Sequence, residues 1–114
     1  MPPRDWTLRI EDILEAIAKI ERYTGGMTFQ AFCADERTVD AVIRNLIVIG
    51  EAARHVPPEI EMRYPELPWA RLRGVRNVIV HEYFGVDPSI LWETIKRNLP
   101  PLVPLLHNLL EHET

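Results

Sequence analysis

Between Arg71 and Tyr83 lie residue types that can break a phosphodiester: Arg73, Arg76, Asn77, His81 and Tyr83. On an α-helix at about 100° per residue, Arg73, Asn77 and His81 stand four apart in one row, and Arg76 occupies the adjoining row. Arginine offers a planar fork of donors that matches phosphate oxygens and keeps its charge when partly desolvated. Arg76 can therefore hold a scissile phosphate and stabilise the charge that develops on it. Histidine, with an unperturbed pKa of about 6.5, can take the proton of a ribose 2′-hydroxyl or give one to the leaving oxygen, which fits His81. Asn77, one turn earlier, can orient the imidazole or the phosphate. Tyr83 comes seven residues after Arg76, about 20° out of line, and falls near the same rim. A histidine on a helix flank beside arginines is also the pattern of a solvated surface, and the spacing alone leaves both readings open.

In-line cleavage needs a base on the attacking side and an acid on the leaving side, whereas this stretch supplies one histidine. A symmetric homodimer supplies two. The expectation is a pair of chains that place Arg76 and His81 across a shared groove and double the local positive charge facing RNA.

The elements that must position these residues read as helices. Apolar positions Ile10, Ile13, Leu14, Ile17 and Ile20 recur at three- and four-residue steps from Thr7 to Tyr23, and Thr24-Gly25-Gly26 ends the stripe. Thr28 can cap a short turn through Phe32. Asp35 is placed to start a longer helix, with Val39, Val42, Ile43, Leu46 and Ile47 inward, that stops near His55 before Pro57-Pro58. A short turn from Pro58 to Tyr64 follows. Trp69 to Tyr83 reads as the site helix with Leu72, Val75, Val78 and Ile79 inward, although Gly74 and the β-branched run Val78-Ile79-Val80 weaken it and that run alone suits a strand. Gly85 can terminate it, and Asp87-Pro88 opens the last helix, whose stripe runs from Leu91 to Leu110. Pro100, Pro101 and Pro104 interrupt that stripe, so a kink or break is expected between Arg97 and Pro101. The fold class expected is all-α: an up-and-down four-helix bundle with short extra helices, occupying residues 1–114 as a single domain.

Composition narrows the setting. The 114 residues, 46% of them hydrophobic, suffice for one core. The single Cys33 cannot form an internal disulfide. With neither an apolar membrane span nor the apolar stretch of a secretion signal, a cytoplasmic protein with no membrane partner is expected. A formal net charge of −4 argues against a wholly basic nucleic-acid surface. The window Trp69 to His81 nevertheless carries three arginines and no acid, hence +3, leaving −7 on the remainder. A local basic site on an acidic body is the pattern.

The segment Arg76-Asn77-Val78-Ile79-Val80-His81-Glu82-Tyr83 resembles the signature of the HepT-like toxins of the HEPN superfamily: arginine, a polar residue, three more, histidine, any residue, tyrosine. Arg44-Asn45 followed by Ile49-Gly50-Glu51-Ala52-Ala53, then Pro68-Trp69, and the stretch from Trp92-Glu93-Thr94-Ile95 to Leu99-Pro100, are similar to that family as well. The likeness runs from about Leu8 to Leu106. It implies an HEPN-like homodimeric bundle that acts on RNA as a metal-independent endoribonuclease toxin and needs no cofactor. Arg76 and His81 are then the catalytic pair, with Asn77 between them. Tyr83 matches the tyrosine to which the cognate minimal nucleotidyltransferase antitoxin adds AMP, and the added bulk and negative charge would repel RNA from the groove. Arg73, Glu51 and Arg44 are supporting candidates. Arg44 and Glu51, seven apart, can share a helix face, either behind the site or simply as an ion pair or packing positions.

Two other readings stand beside the nuclease. One is a non-catalytic HEPN module that binds a nucleotide or a nucleotidyltransferase. The other is a structural dimerisation protein, suggested by the leucines from Leu99 to Leu110. Metal ligation is not expected, because Glu51 with His55, or His107 with Glu111 and His112 in a tail prone to fraying, give no three converging ligands. Cys33 has no basic partner in sequence and is expected to be buried. Trp69 and Trp92 are expected as core anchors.

Overall fold

The computed structural model describes the backbone of residues 5–81 and 87–113, and side chains within 5–75 and 87–113. Seven α-helices lie in this part: α1 (Trp6–Thr24), α2 (Phe29–Ala34), α3 (Glu36–Ala53), α4 (Pro58–Arg63), α5 (Trp69–His81), α6 (Pro88–Glu93) and α7 (Leu102–Glu113). A π-helical turn, Thr94–Asn98, joins on to α6. No strand occurs among the described residues, and the all-α reading holds.

Local chemistry sets the long helices. Asp35 caps α3 by accepting the Thr38 backbone N–H at 3.1 Å, as its position in the sequence suggests. Asp5 does the same for α1 through Thr7, at 3.0 Å. At the far end of α1 the Thr24 hydroxyl donates to the Ile20 carbonyl at 2.8 Å, and Gly26 turns the chain with φ of +79°, a conformation that favours glycine. The buried faces then decide the packing order. Helix α1 packs on α3, α3 on α5, and α7 on the free side of α1, while α2 bridges α3 and α6. Ile10, Ile13, Ile17 and Ile20 of α1 meet Val42, Leu46 and Ile49 of α3 in one apolar cluster that reaches every helix.

Val78 to Val80 lie within helix α5 and not in a strand. Tyr83 and Gly85, expected at the end of that helix, lie outside the described residues. The proline-rich break falls where the sequence places it. The Leu99 N–H reaches back five residues to the Thr94 carbonyl at 3.0 Å, then Pro100 and Pro101 separate the π turn from α7. Pro104 does not interrupt: it sits in the first turn of α7, where a missing N–H leaves no carbonyl unsatisfied.

The C-terminal turn is pinned rather than frayed. Glu113 receives the Arg63 guanidinium at 2.6 Å and the Tyr64 hydroxyl at 2.9 Å. Burial pushes the Tyr64 phenol pKa up, and the bond to Glu113 adds to that shift. Leu99, Leu102, Leu106 and Leu109 are all buried in the core. Most of the leucine stripe is thus packed inside the chain, with Leu105 and Leu110 partly buried, which weakens the support it lent to a purely structural dimerisation role. Cys33 is exposed, against expectation: on the six-residue α2 the inward position belongs to Phe32, and the next residue points about 100° away.

Candidate active site

Helix α5 follows Pro68 and is anchored by Trp69, whose indole N–H donates to the Tyr64 carbonyl at 2.9 Å. Trp69 and Leu72 are 6% and 4% exposed and fix the side of α5 that meets the core. Because the helix is continuous to His81, its register follows from these two anchors. Arg76 lies seven residues after Trp69 and four after Leu72, so its register position falls between them, on the core side where α5 packs on α3. Arg73, Asn77 and His81 form the expected row, about 60° or more away from Arg76 and turned off the core. Arg76 and His81 thus hold different positions around one helix. As backbone positions, Arg76 is on the side of α5 nearer Trp69 and Leu72 and His81 is on the side away from them. The side chains of Arg76, Asn77 and His81, and the whole of Tyr83, lie outside the described part.

Arg73 is engaged. Its guanidinium bonds Glu61 of α4 at 2.5 Å, an ion pair that ties α4 to the site helix and partly neutralises the nearest arginine in the row. The supporting pair on α3 does not act as a direct ion pair. Glu51 meets Arg54 at 3.3 Å and His55 at 3.7 Å on its own helix. Arg44, exposed one turn before Val48, lines a cleft of about 260 Å³ between α1 and α3 with Asp12, Glu15, Lys19, Tyr23 and Asn45. Leu46, two residues on from Arg44 and therefore about 200° around α3, faces α5 instead. Within one chain Arg44 thus stands away from the α3–α5 seam. Gly50 is buried in α3.

Sequence reasoning missed an apolar groove beside the row. It has a volume of about 580 Å³ and runs between α5, α6, the π turn and the start of α7, lined by Leu72, Val75, Ile90, Leu91, Leu99 and Leu102 with Arg71 and Arg97 on its walls. Ile90 is 61% exposed, and a Cβ added to Gly74 would meet nothing within 4 Å. The available signal was Gly74 inside a helix that otherwise keeps an apolar stripe. Trp69 is the core anchor expected. Trp92 is only partly buried, packing on Phe32 at 5.2 Å between ring centres with Lys96 4.6 Å over its ring. Among the described residues no group of three His, Cys, Asp or Glu side chains converges as a metal site, and no helix is long and apolar enough to cross a membrane.

Residues 13–109 match the family described as ribonuclease HepT-like. The chain belongs to the HepT-like ribonuclease family. A protein of Thermococcus cleftensis named "Probable ribonuclease HepT" is 43% identical over 93 residues, covering 82% of this chain and 84% of that relative. A Methanocaldococcus jannaschii protein carrying RNase in its name is 38% identical over 100 residues, covering 88% and 83%. One from Caldanaerobacter subterraneus subsp. tengcongensis, likewise carrying RNase in its name, is 34% identical over 104 residues, covering 91% and 93%. No solved structure gives a significant match. The HepT-like assignment agrees with the resemblance carried by the Arg76 to Tyr83 segment and with the all-α fold.

Proposed function

We propose that this HepT-like chain is a metal-independent endoribonuclease, the toxin of a toxin–antitoxin pair, that works in the cytoplasm as a homodimer with Arg76 and His81 as its catalytic residues. One observation supports the reading: in a chain of a ribonuclease family, Arg76 and His81 fall five residues apart on the single helix Trp69–His81. The chemistry then follows from the groups. A His81 imidazole takes the proton of a ribose 2′-hydroxyl, whose oxygen attacks the adjacent phosphorus in line. Arg76 holds the non-bridging oxygens and stabilises their charge in the transition state. The P–O5′ bond breaks, the departing oxygen takes a proton, and the products carry a 2′,3′-cyclic phosphate and a free 5′-hydroxyl. The second imidazole is that of the other chain, so the acid and the base need not be one residue. Asn77, between the two along the helix, orients the imidazole. Tyr83 accepts AMP from a minimal nucleotidyltransferase antitoxin, which closes the groove to RNA by bulk and charge.

The test is cleavage of a mixed-sequence RNA in the presence of a chelator. Wild-type protein is expected to cut, and His81→Ala to lose roughly 10²- to 10⁴-fold in rate while remaining folded. Dependence of cutting on an added divalent metal, or equal rates for the variant and the wild type, refutes the mechanism. Coexpression with the nucleotidyltransferase followed by mass spectrometry should show one added AMP on Tyr83, and an unchanged tyrosine refutes that part.

A further inference from the structure

The apolar groove beside α5 has two unlike walls. One is α5 itself, which presents Leu72, Val75 and, at Gly74, bare backbone. The other includes the π turn, whose wide coil sets Thr94, Arg97 and Asn98 on one side. At about 580 Å³ the groove falls inside the range of about 300–1,000 Å³ common for sites that take small organic groups.

Its charges are of one sign. Arg71 and Arg97 line it, and no Asp or Glu does among the described residues. Arg71 is exposed and makes no side-chain hydrogen bond or ion pair among the described residues. Arg97 has Glu93 of the preceding turn at 3.9 Å, a contact between two largely exposed side chains that leaves the guanidinium able to turn to another anion. The Asn98 amide is exposed. An occupant that matches these walls carries a flat or apolar face for the aliphatic side chains and negative charge beside it. A purely apolar occupant satisfies the floor and leaves both guanidiniums without a partner. A nucleotide satisfies both: aliphatic side chains hold an unstacked base, the arginine forks match its phosphates, and an amide that both donates and accepts matches a base edge.

The groove is also continuous with the site helix. As backbone positions, Gly74 and His81 are seven residues apart, hence within about 20° of each other around α5 and about 10 Å apart along it. We infer that this groove is a specificity subsite that takes the base of one nucleotide of a single-stranded RNA close to the point of cleavage, with Arg71 and Arg97 on the flanking phosphates and Asn98 at the base edge. The inference rests on the RNA substrate of the proposed function and adds where a neighbouring base is read. Base preference is then set by residues that take no part in breaking the bond.

The test is binding, read by fluorescence anisotropy at low salt with a chelator present. The probe is a labelled mixed-sequence RNA hexanucleotide methylated at every 2′-oxygen, so that it offers no attacking hydroxyl. With the wild type, an abasic residue at one position of the probe is expected to weaken binding about tenfold. Gly74→Leu fills the groove with a better helix former. It is expected to bind the intact probe about tenfold more weakly and to lose the discrimination against the abasic one. Arg71→Ala should weaken binding and flatten the slope of log K against log salt by about 0.7, as for one phosphate contact on a single strand. Circular dichroism checks helicity. Should Gly74→Leu fail to fold, Ile90→Asp, at a wall position 61% exposed, gives the second measurement, with the same loss of discrimination expected. Wild-type binding that no abasic residue weakens, or groove variants that keep the full discrimination, overturns the subsite and leaves the nuclease reading standing. Failure of the wild type to bind the RNA at all overturns both. A Gly74→Leu protein that changes its oligomeric state in ultracentrifugation while binding RNA as the wild type does makes the groove a contact between chains, and that too overturns the subsite.

Discussion

Helices α3 and α5 lie side by side, yet they are made helical by different means. Helix α3 is specified locally: Asp35 caps it, a Glu36 side chain sits in its first turn, and its buried stripe from Val42 to Ala53 is mostly aliphatic, with Asn45 and Gly50 the exceptions. Helix α5 begins after Pro68, whose ring offers no acceptor for a cap, contains Gly74, and ends in a β-branched run. Its helicity is borrowed from neighbours, through Trp69 on the Tyr64 carbonyl, Leu72 in the core and Arg73 on Glu61. The segment that resembles the family's signature begins on the second kind of helix, at Arg76. A scaffold with strong intrinsic signals leaves the adjoining element free to spend its residue types on arginines and a histidine.

The comparison breaks first if α5 is helical without α3. Leu46, 2% exposed, faces α5 from α3, and Leu46→Ala should cost about 2–5 kcal/mol in urea unfolding, with loss of RNA cutting well before global unfolding. A cost below about 1 kcal/mol would mean that the seam is not what holds the site helix. Gly74→Ala probes the other side of the same idea. The new Cβ meets nothing, so the variant should gain about 0.5–1 kcal/mol from helix propensity alone. A loss of stability would mean that the apolar groove is covered in solution.

The same contrast explains what could be read from the sequence. The caps at Asp35 and Asp87, the α1 and α3 stripes and the proline break before α7 are local signals, and each is found in place. Pro104 and Cys33 were misjudged because their outcome depends on where a helix starts and which residue of a short helix faces inward. The motif spacing placed Arg73, Asn77 and His81 in one row without the structure. Trp69 and Leu72 were expected in the core from the sequence, and their burial fixes the register that puts position 76 on the core side of the helix. Glu61 was invisible as a partner of Arg73, since a contact across 12 residues and two helices leaves no periodic trace.

That long-range pair gives a prediction whose two readouts move in opposite directions. Glu61→Gln removes the tie between α4 and α5 and should lower stability by less than about 1 kcal/mol, because the Arg73 side chain is 38% exposed and the pair is partly screened. It also frees the guanidinium next to Asn77 and His81 in the row and removes a negative charge, so RNA should bind more tightly at low salt, with a steeper salt dependence. Unchanged RNA affinity would separate Arg73 from the site.

The smallest effect belongs to the cap of α3, and pH sets its size. Asp35 accepts the Thr38 N–H, and the Thr38 hydroxyl donates to its other oxygen at 2.8 Å. These bonds hold the carboxyl below its ordinary value of 3.8, the backbone bond contributing most. A pKa lowered by folding contributes stability that is complete above 3.8 and is lost as pH falls through the lower folded value. Asp35→Ala should therefore lower Tm at neutral pH, and its difference from wild type should close only in acid below 3.8. Thermal scans in a pH series, with circular dichroism as the readout, check this. A gap that stayed constant into strong acid would mean that Asp35 acts by packing and not as an ionised cap. The local origin of α3's stability, on which its contrast with α5 depends, would then have lost its main physical cause.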